Sequence, residues 1–327
     1  MSGRHIKALI RAYRDRDDLA FRRAAQAIID EEEAKRHTTL ARDLRHLLAA
    51  GAQQGLSMPD PVMALPDPPK DRDSSLPLAD IRTSDLRLSD LVLDEELATH
   101  LHHLVREVEH WPLLDRHAIA RRNRLLLYGP PGCGKTSIAS ALAHELGRPL
   151  VTIRVEGVVS SYLGETATNL RKVIDFAQSG AYVVLFDEFD SLGKDRDDPN
   201  DHGELRRVVN AVLQMIDAYS GPSLLIAATN HASVLDEAMW RRFDEVFEVA
   251  LPNTSQIHQL LTQSLHSAAI SDAVLDQVSA SLQGLPHAAA AHVANMALRE
   301  AVLDGRTRAS DHDLWYAAER TTQRRWV

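Results

Sequence analysis

Apolar residues follow two different spacings along the chain, and the change between them divides the sequence. In residues 4–50 they recur every three to four positions, which is the spacing of amphipathic helices. The three apolar stripes are Ile6, Leu9, Ile10 and Tyr13; Phe21, Ala24, Ala25 and Ile28; and Leu40, Leu44, Leu47 and Leu48. We therefore predict a small helical bundle as a first domain at residues 1–50.

Residues 51–85 interrupt this pattern with a proline-rich stretch. Six of the chain's 14 prolines fall there, mixed with Asp, Gly and Ser. Such a composition is typical of extended linkers. The sequence predicts that residues 51–85 form a linker with neither strand nor helix.

From residue 86 onwards, short aliphatic runs alternate with longer amphipathic stretches. Nearly continuous apolar runs of this length are typical of parallel strands that are covered on both faces of the sheet. The runs occupy residues 125–128, 150–155, 182–186, 223–228 and 246–250. After Pro252 only helical spacing continues. We predict a doubly wound α/β domain at residues 86–252 and a helical lid at residues 253–327.

The first aliphatic run leads into the sequence GPPGCGKTS at residues 129–137. A strand, a loop of the form G-x-x-x-x-G-K-[ST] and a helix together form the P-loop of nucleotide-binding proteins. In such a loop the glycines let backbone N–H groups surround phosphates, Lys135 reaches the terminal phosphates, and the Thr136 hydroxyl ligates Mg²⁺. The candidate nucleotide-binding residues are Gly129, Pro130, Pro131, Gly132, Cys133, Gly134, Lys135, Thr136 and Ser137.

Cys133 is the only cysteine of the chain, so an intramolecular disulfide is excluded. It occupies a variable position of the loop. Two roles stay open for its thiol: a structural one, or a reactive group whose alkylation or oxidation would affect nucleotide hydrolysis.

A second apolar run, YVVLFDEFD at residues 182–190, ends in two carboxylates. Ligands of open α/β sheets bind at the carboxyl ends of the strands, so Asp187 and Glu188 are expected near the P-loop. There Asp187 would hold Mg²⁺ through water, and Glu188 would orient or deprotonate the attacking water.

The net charge and the hydropathy of the chain disfavour two classes of binding partner, nucleic acids and membranes. The formal net charge of −9 disfavours a general affinity for nucleic acid, which depends on local Lys/Arg excess. There is no apolar stretch of about 18 residues or more, and the first twenty residues are rich in charge. We expect a cytoplasmic protein without a membrane partner.

With these motifs in place, residues 86–327 resemble the AAA+ ATPases, and among them the AAA clade proper of severing, membrane-remodelling and protease-associated ATPases. LLIAATN ends in Asn230, at the place of the family's sensor-1 residue. LDEAMWRRFDEVFEVALP resembles its arginine-finger segment, with Arg241 and Arg242 as candidates. SSYLGET resembles its first pore loop, with Tyr162 and Leu163 as the aromatic and aliphatic pair.

This resemblance implies ATP hydrolysis with Mg²⁺ in a ring, by resemblance a hexamer, in which an arginine reaches the neighbouring subunit's nucleotide. The sequence leaves open whether Arg241 or Arg242 does so. It also leaves open whether Tyr162 lines a pore or fills the seam between a strand and a helix. Two departures concern the nucleotide pocket: Leu93 replaces the usual glycine, and His287 lies where some AAA+ proteins carry a sensor-2 arginine.

Three functions are compatible with these residues. The leading one is an ATP-driven remodeller that grips polypeptide through its pore loops and selects a protein client through the N-terminal bundle. A second is an ATP-dependent regulatory partner of a separate effector, because residues 27–48 resemble the leader of bacterial AAA ATPases encoded beside subtilisin-like proteases. A third is a nucleic-acid motor or loader, which the negative charge disfavours.

Overall fold

A computed structural model describes residues 65–71, 75–154, 158, 163–189, 214–231, 240–265 and 270–326, and single positions between residues 7 and 31. The chain divides into two compact units, Met1–Ala64 and Leu65–Val327. The described positions of the first unit are helical, and they are Lys7, Ala24, Ala25, Ala27, Ile28, Ile29 and Glu31. The rest of the predicted N-terminal bundle at residues 1–50 lies outside the described residues.

Within the described residues, six strands form one sheet in the order β1-β3-β4-β5-β2-β6. β1 runs antiparallel to β3, and the other neighbours are parallel. The strands are β1 (Ala79–Arg82), β2 (Arg124–Tyr128), β3 (Leu150–Ile153), β4 (Val183–Phe186), β5 (Leu224–Thr229) and β6 (Glu245–Glu248). All five strands predicted from the aliphatic runs are therefore present, with ends shifted by one or two residues.

Helices cover both faces of this sheet. One face carries α1 (Glu95–Glu109), α2 (Trp111–Arg116) and α3 (Lys135–Glu145), and the other carries α4 (Leu163–Ser179). Consecutive residues of a strand point to opposite faces. Accordingly Leu125 and Leu127 pack among α1 to α3, Leu126 packs towards α4, and all three are 0% exposed. The doubly wound α/β fold is confirmed.

The prediction that residues 51–85 hold neither strand nor helix is wrong for residues 79–82. β1 pairs with β3 along its whole length, from Ala79 opposite Ile153 to Arg82 opposite Leu150. Leu78 beside it is fully buried in the sheet core. An antiparallel strand at a sheet edge needs only one hydrogen-bonded neighbour, so a short strand can form within a proline-rich stretch.

Among the residues described after the sheet, the regular elements are helices, as predicted from the spacing after Pro252. They are α5 (Thr254–Leu265), α6 (Asp272–Ser281), α7 (His287–Leu303) and α8 (Asp311–Thr322). Their apolar faces enclose a separate core, in which Leu261, Val278, Val293 and Leu314 are 0% exposed. In the described part of the chain, no helix is long and apolar enough to cross a membrane.

Candidate nucleotide-binding site

The P-loop joins the end of β2 to the start of α3 with three glycines at positive φ. The angles are +143° at Gly129, +73° at Gly132 and +99° at Gly134. A Cβ atom at Gly129 would lie 2.2 Å from the carbonyl oxygen of Val249, and one at Gly132 would lie 3.1 Å from Ala288 Cβ. The loop therefore requires glycine for its backbone angles and, at Gly129, for its close approach to a neighbouring segment.

Lys135 is the first residue of α3 and is only 6% exposed. Its Nζ atom donates hydrogen bonds to the carbonyl oxygens of Gly129 at 2.8 Å and Pro130 at 2.9 Å. The ammonium group thus lies across the loop, at the N-terminus of a helix, where anions are stabilised by the helix dipole and by backbone N–H groups.

Thr136 contacts the aspartate that directly follows β4. Its hydroxyl donates a hydrogen bond to Asp187 Oδ2 at 2.7 Å. A hydroxyl and a carboxylate are among the oxygen ligands that Mg²⁺ accepts, together with phosphates and water. The two residues predicted to hold Mg²⁺ are therefore brought together from positions 51 residues apart in sequence.

Glu188 and Asn230 lie at the ends of adjacent strands. Glu188 follows β4 in a turn with φ of +48°, is exposed, and donates its backbone N–H to Asp187 Oδ1 at 3.0 Å. Asn230 follows β5, which lies between β4 and β2, as expected for the sensor-1 strand. Because parallel strands end at the same edge, the P-loop, both acids and this amide share one edge of the sheet.

These groups line a cavity of about 710 Å³, which lies within the usual size range of small-molecule sites. Residues 90–93, before α1, and residues 131–137 of the loop line part of it. The remaining lining residues are Asp187, Glu188 and Asn230 from the strand ends, and Leu260, Gln263, Ser264, His287, Ala288 and Ala291 from α5 and α7. The cavity is therefore formed jointly by the α/β part and the lid helices.

The α5 contribution was missed by the sequence reasoning. Leu260, Gln263 and Ser264 share one face of the helix through their i, i+3, i+4 spacing, but this spacing equally fits packing against the lid core. Leu93, the departure noted in the sequence, lines the cavity as well.

His287 is the first residue of α7 and has an unusual environment. Both ring nitrogens are buried, and neither has a hydrogen-bond partner among the described residues. Burial lowers the pKa of this imidazole, since desolvation disfavours its charged form. The next residue, Ala288, donates its backbone N–H to Gly132 O at 3.0 Å, which joins the lid directly to the P-loop.

The environment of Cys133 disfavours a reactive role. Its side chain is 2% exposed and packs in the hydrophobic core with β2 and α3. Burial raises the pKa of its thiol. A buried, protonated thiol is a poor nucleophile, so the structure favours the structural alternative for this residue.

The two candidate arginines do not line this cavity. Arg242 is half-buried, with its Nη1 atom 2.8 Å from Asp217 Oδ2, whereas Arg241 is exposed. Tyr162 of the predicted pore loop lies outside the described residues. Leu163 is the first residue of α4, and its side chain is likewise outside the description.

Comparisons with known proteins agree with this geometry. Residues 125–251 match the AAA family, described as "ATPase family associated with various cellular activities". The chain is 38% identical to the uncharacterized AAA family ATPase y4kL of Sinorhizobium fredii, over 99% of this chain and 96% of that protein. It is 36% identical to a proteasome-activating nucleotidase of Thermococcus onnurineus, over 49% of this chain and 42% of that protein.

Among solved structures, the crystal structure of a FIGL-1 AAA domain matches with a TM-score of 0.60 and 23% identity. The match covers 74% of this chain and 85% of that domain. This likeness supports the fold. The assignment to the family rests on the match to the Sinorhizobium protein, which covers nearly all of both chains. The chain is therefore a member of the AAA family of ATPases, and its activity is ATP hydrolysis.

Proposed function

We propose that this ATPase is a protein remodeller that works as a ring oligomer. The observation that carries the proposal is the cavity shared by the P-loop, the carboxylates after β4 and the lid helix α7. A nucleotide held there touches both parts, so binding and hydrolysis would change their relative position. A change in shape that follows the nucleotide state is what a mechanical enzyme requires.

The roles within the site follow from its contacts. Loop N–H groups and Lys135 hold the phosphates of ATP, and Glu188 orients the attacking water. Thr136 and Asp187 form an oxygen-donor pair that fits Mg²⁺. When bound, Mg²⁺ would neutralise charge on the phosphate oxygens. Asn230, at the end of the strand between the two motifs, faces the same cavity and adds a polar contact.

The ring, the pore loop and the client are further parts of the proposal. An arginine from Arg241 or Arg242 would complete the neighbour's site, Tyr162 and Leu163 would contact polypeptide in the pore, and residues 1–50 would select the client. The names of the archaeal relatives, proteasome-activating nucleotidases, support action on proteins. The alternative is a regulatory partner of a separate effector, such as a subtilisin-like protease.

Replacing the water-orienting carboxylate tests the catalytic assignment. Glu188→Gln should bind ATP and hydrolyse it about 10²–10⁴-fold more slowly, because the amide cannot accept the proton of water. Lys135→Ala should lose ATP affinity instead. Phosphate release and binding of a fluorescent ATP analogue measure the two effects. Glu319→Gln, on the exposed side of α8, is the matched control and should keep the parental rate.

The same variant tests whether the protein assembles into a ring and which kind of protein it binds. In the presence of ATP, Glu188→Gln should assemble into one closed oligomer, whose molecular mass can be measured. It should also keep its client bound when the variant is isolated. A parental hydrolysis rate for Glu188→Gln would refute the catalytic role. If the unsubstituted protein stays monomeric in the presence of ATP and still hydrolyses it at the full rate, the proposed ring is refuted. Capture of one stoichiometric effector, with no unfolded client, would favour the regulatory alternative.

A further inference from the structure

The sheet ends at β6, and in the described part of the chain this strand has an open outer edge. It pairs with β2 alone. Just after it, Val249 N donates to Tyr128 O at 2.7 Å. Because the backbone groups of successive strand residues point to opposite edges, those of Val246 and Glu248 face away from β2. Unpaired N–H and C=O groups of this kind can pair with another extended chain.

A groove of about 570 Å³ runs along this edge. It lies between β6, with the residues that follow it, and the start of α1. Both Val246, which packs on the α4 side of the sheet, and Phe247, which packs on the α1 side, line it. The imidazole of His100 stacks on Phe247 with 5.6 Å between the ring centres. The groove therefore follows the outer edge of the strand, where an added strand would lie.

The groove is acidic. Its described lining includes no lysine or arginine but four carboxylates, which are Asp94, Glu96, Glu245 and Glu248. Glu245 pairs with Arg122. Within the described residues, the other three have no lysine or arginine partner. Asp94 accepts the N–H of Glu96 at 3.0 Å, and Glu248 accepts the Tyr128 hydroxyl at 3.3 Å. Because both donors are neutral, these carboxylates keep their charge.

The arrangement of these charges selects the kind of strand that can pair with β6. Two copies of β6 side by side would bring glutamates close together, and opposed like charges destabilise a sheet. Carboxylates lie on both faces, since the side chains of Glu245 and Glu248 point to opposite sides of the sheet. An added strand would therefore place successive side chains near a carboxylate on one face and then on the other, which favours lysine and arginine.

We propose that the groove along β6 binds an extended, basic segment of a partner protein by strand addition. The backbone of the segment pairs with the outward N–H and C=O groups of Val246 and Glu248, and its cationic side chains lie against Glu96 and Glu248. Backbone pairing accepts many sequences, whereas the carboxylates exclude acidic ones. None of the four carboxylates lines the nucleotide cavity, so the proposal does not depend on a ring or on a bound nucleotide.

A labelled peptide with blocked ends tests the proposal on the full-length protein. A peptide of about seven residues that alternates lysine and valine spans about 23 Å and should bind, as measured by fluorescence anisotropy. The same peptide with glutamate in place of lysine should bind at least about 10-fold more weakly, because like charges would then face each other.

Methylation of the peptide's backbone nitrogens distinguishes strand addition from charge attraction alone. Alternate residues of an added strand turn their N–H groups towards β6 or towards solvent. Methylating one alternate set should therefore weaken binding by about 10-fold or more, because the hydrogen bonds to β6 are lost. Methylating the other set should change the Kd by less than about twofold.

Replacing two carboxylates of the groove tests its location. Glu96→Gln/Glu248→Gln should weaken binding of the lysine peptide by about 3–10-fold, as expected for the loss of two exposed charge pairs. Its ATPase rate and Tm should equal those of the parent, since neither residue lines the nucleotide cavity. Glu109→Gln, at the exposed far end of α1, is the matched control and should keep the parental Kd.

Several results would overturn the proposal. They are no binding at about 1 mM peptide, equal affinity for the acidic peptide, equal effects of the two methylated sets, and a parental Kd for Glu96→Gln/Glu248→Gln. A segment of the chain's own that fills the groove would give the first result, because the full-length protein is used. A Kd that rises with protein concentration would identify a second copy as the occupant and would also overturn the proposal.

Discussion

At the scale of single residues, the site depends on how closely the backbone segments approach one another. Gly129 leaves β2 at a φ of +143°, and the place of its missing Cβ is occupied by Val249 O, the residue after β6. Gly147 also has a positive φ, +59°, but nothing lies within 4 Å of its Cβ position. Gly147 therefore needs glycine for its backbone angle alone, whereas Gly129 also needs it for the close approach of Val249.

Alanine at these two positions should therefore have unequal effects. Gly147→Ala should lower the free energy of unfolding by about 1–2 kcal/mol, the cost of a left-handed residue with a Cβ. Gly129→Ala should lower it more, because its φ of +143° lies further from the left-handed region that L residues can adopt and because the clash with the Val249 carbonyl is added; it should also reduce ATP affinity. Urea unfolding and ATP binding measure both. Equal losses in the two variants would show that the contact with Val249 is unimportant.

The sequence specified the residues of the nucleotide site well, but it did not specify ion pairs between distant segments elsewhere in the fold. Lys135, Thr136 and Asp187 were predicted because motif and strand pattern are local signals. Asp217 was not, since a lone aspartate at the end of a helical stretch carries no pattern that points to Arg242. Such contacts arise only when the sheet order brings separate segments together.

At the scale of elements, the first turn of α7 carries a buried histidine. The ring nitrogens of His287 are buried without partners among the described residues, and burial lowers the pKa of the imidazole below its usual value near 6.5. A histidine with a lowered pKa binds protons more readily in the unfolded chain than in the folded one. Its contribution to stability is therefore lost as the pH falls below about 6.5.

Replacing this histidine should flatten the dependence of stability on pH. Between about pH 7.5 and 5.5 the parent should lose stability more steeply than His287→Gln, by at most about 1.4 kcal/mol per pH unit for one proton. His103→Gln, on the exposed face of α1, is the control for replacing a histidine by glutamine in this chain. Urea unfolding at a series of pH values measures the slopes, and identical slopes in parent and His287→Gln would contradict the assignment.

The strands show where element prediction succeeds and where it fails. Five aliphatic runs were long and continuous enough to identify β2 to β6. β1 was missed because only Ala79 and Ile81 of its four residues are apolar, and Leu78 just before it stands among prolines and charges. An edge strand receives most of its stability from its neighbour, here β3, and such pairing leaves little trace in its own sequence.

At the scale of the whole molecule, the presence of β1 means that the ATPase unit begins before residue 86. The compact unit begins at Leu65, not near residue 86. Residues before β1 also form ordered contacts: Asn169 Nδ2 of α4 donates to Asp71 Oδ2 at 2.8 Å, and Leu78 N, just before β1, donates to Pro69 O at 2.8 Å. The division of the remaining chain into residues 86–252 and 253–327 stays a prediction.

Two truncated chains test this boundary. A chain of residues 65–327 should fold cooperatively and bind ATP, because it contains the whole sheet and the lid. A chain of residues 86–327 should have a lower Tm and aggregate more readily, because β3 would become an exposed edge and the buried Leu78 and Ala79 would be lost. Thermal unfolding and size-exclusion chromatography compare the two. Equal Tm values would mean that β1 contributes nothing to stability.

The hydrogen bond from Ala288 N to Gly132 O attaches one end of the long helix α7 to the P-loop. α7 has 17 residues and is therefore about 25 Å long, and its near end is fastened to the loop. A tilt of about 10° at that end would carry the far end, around Leu303, through about 4 Å. A small movement of the P-loop at the near end would therefore displace the far end of α7 by several times as much.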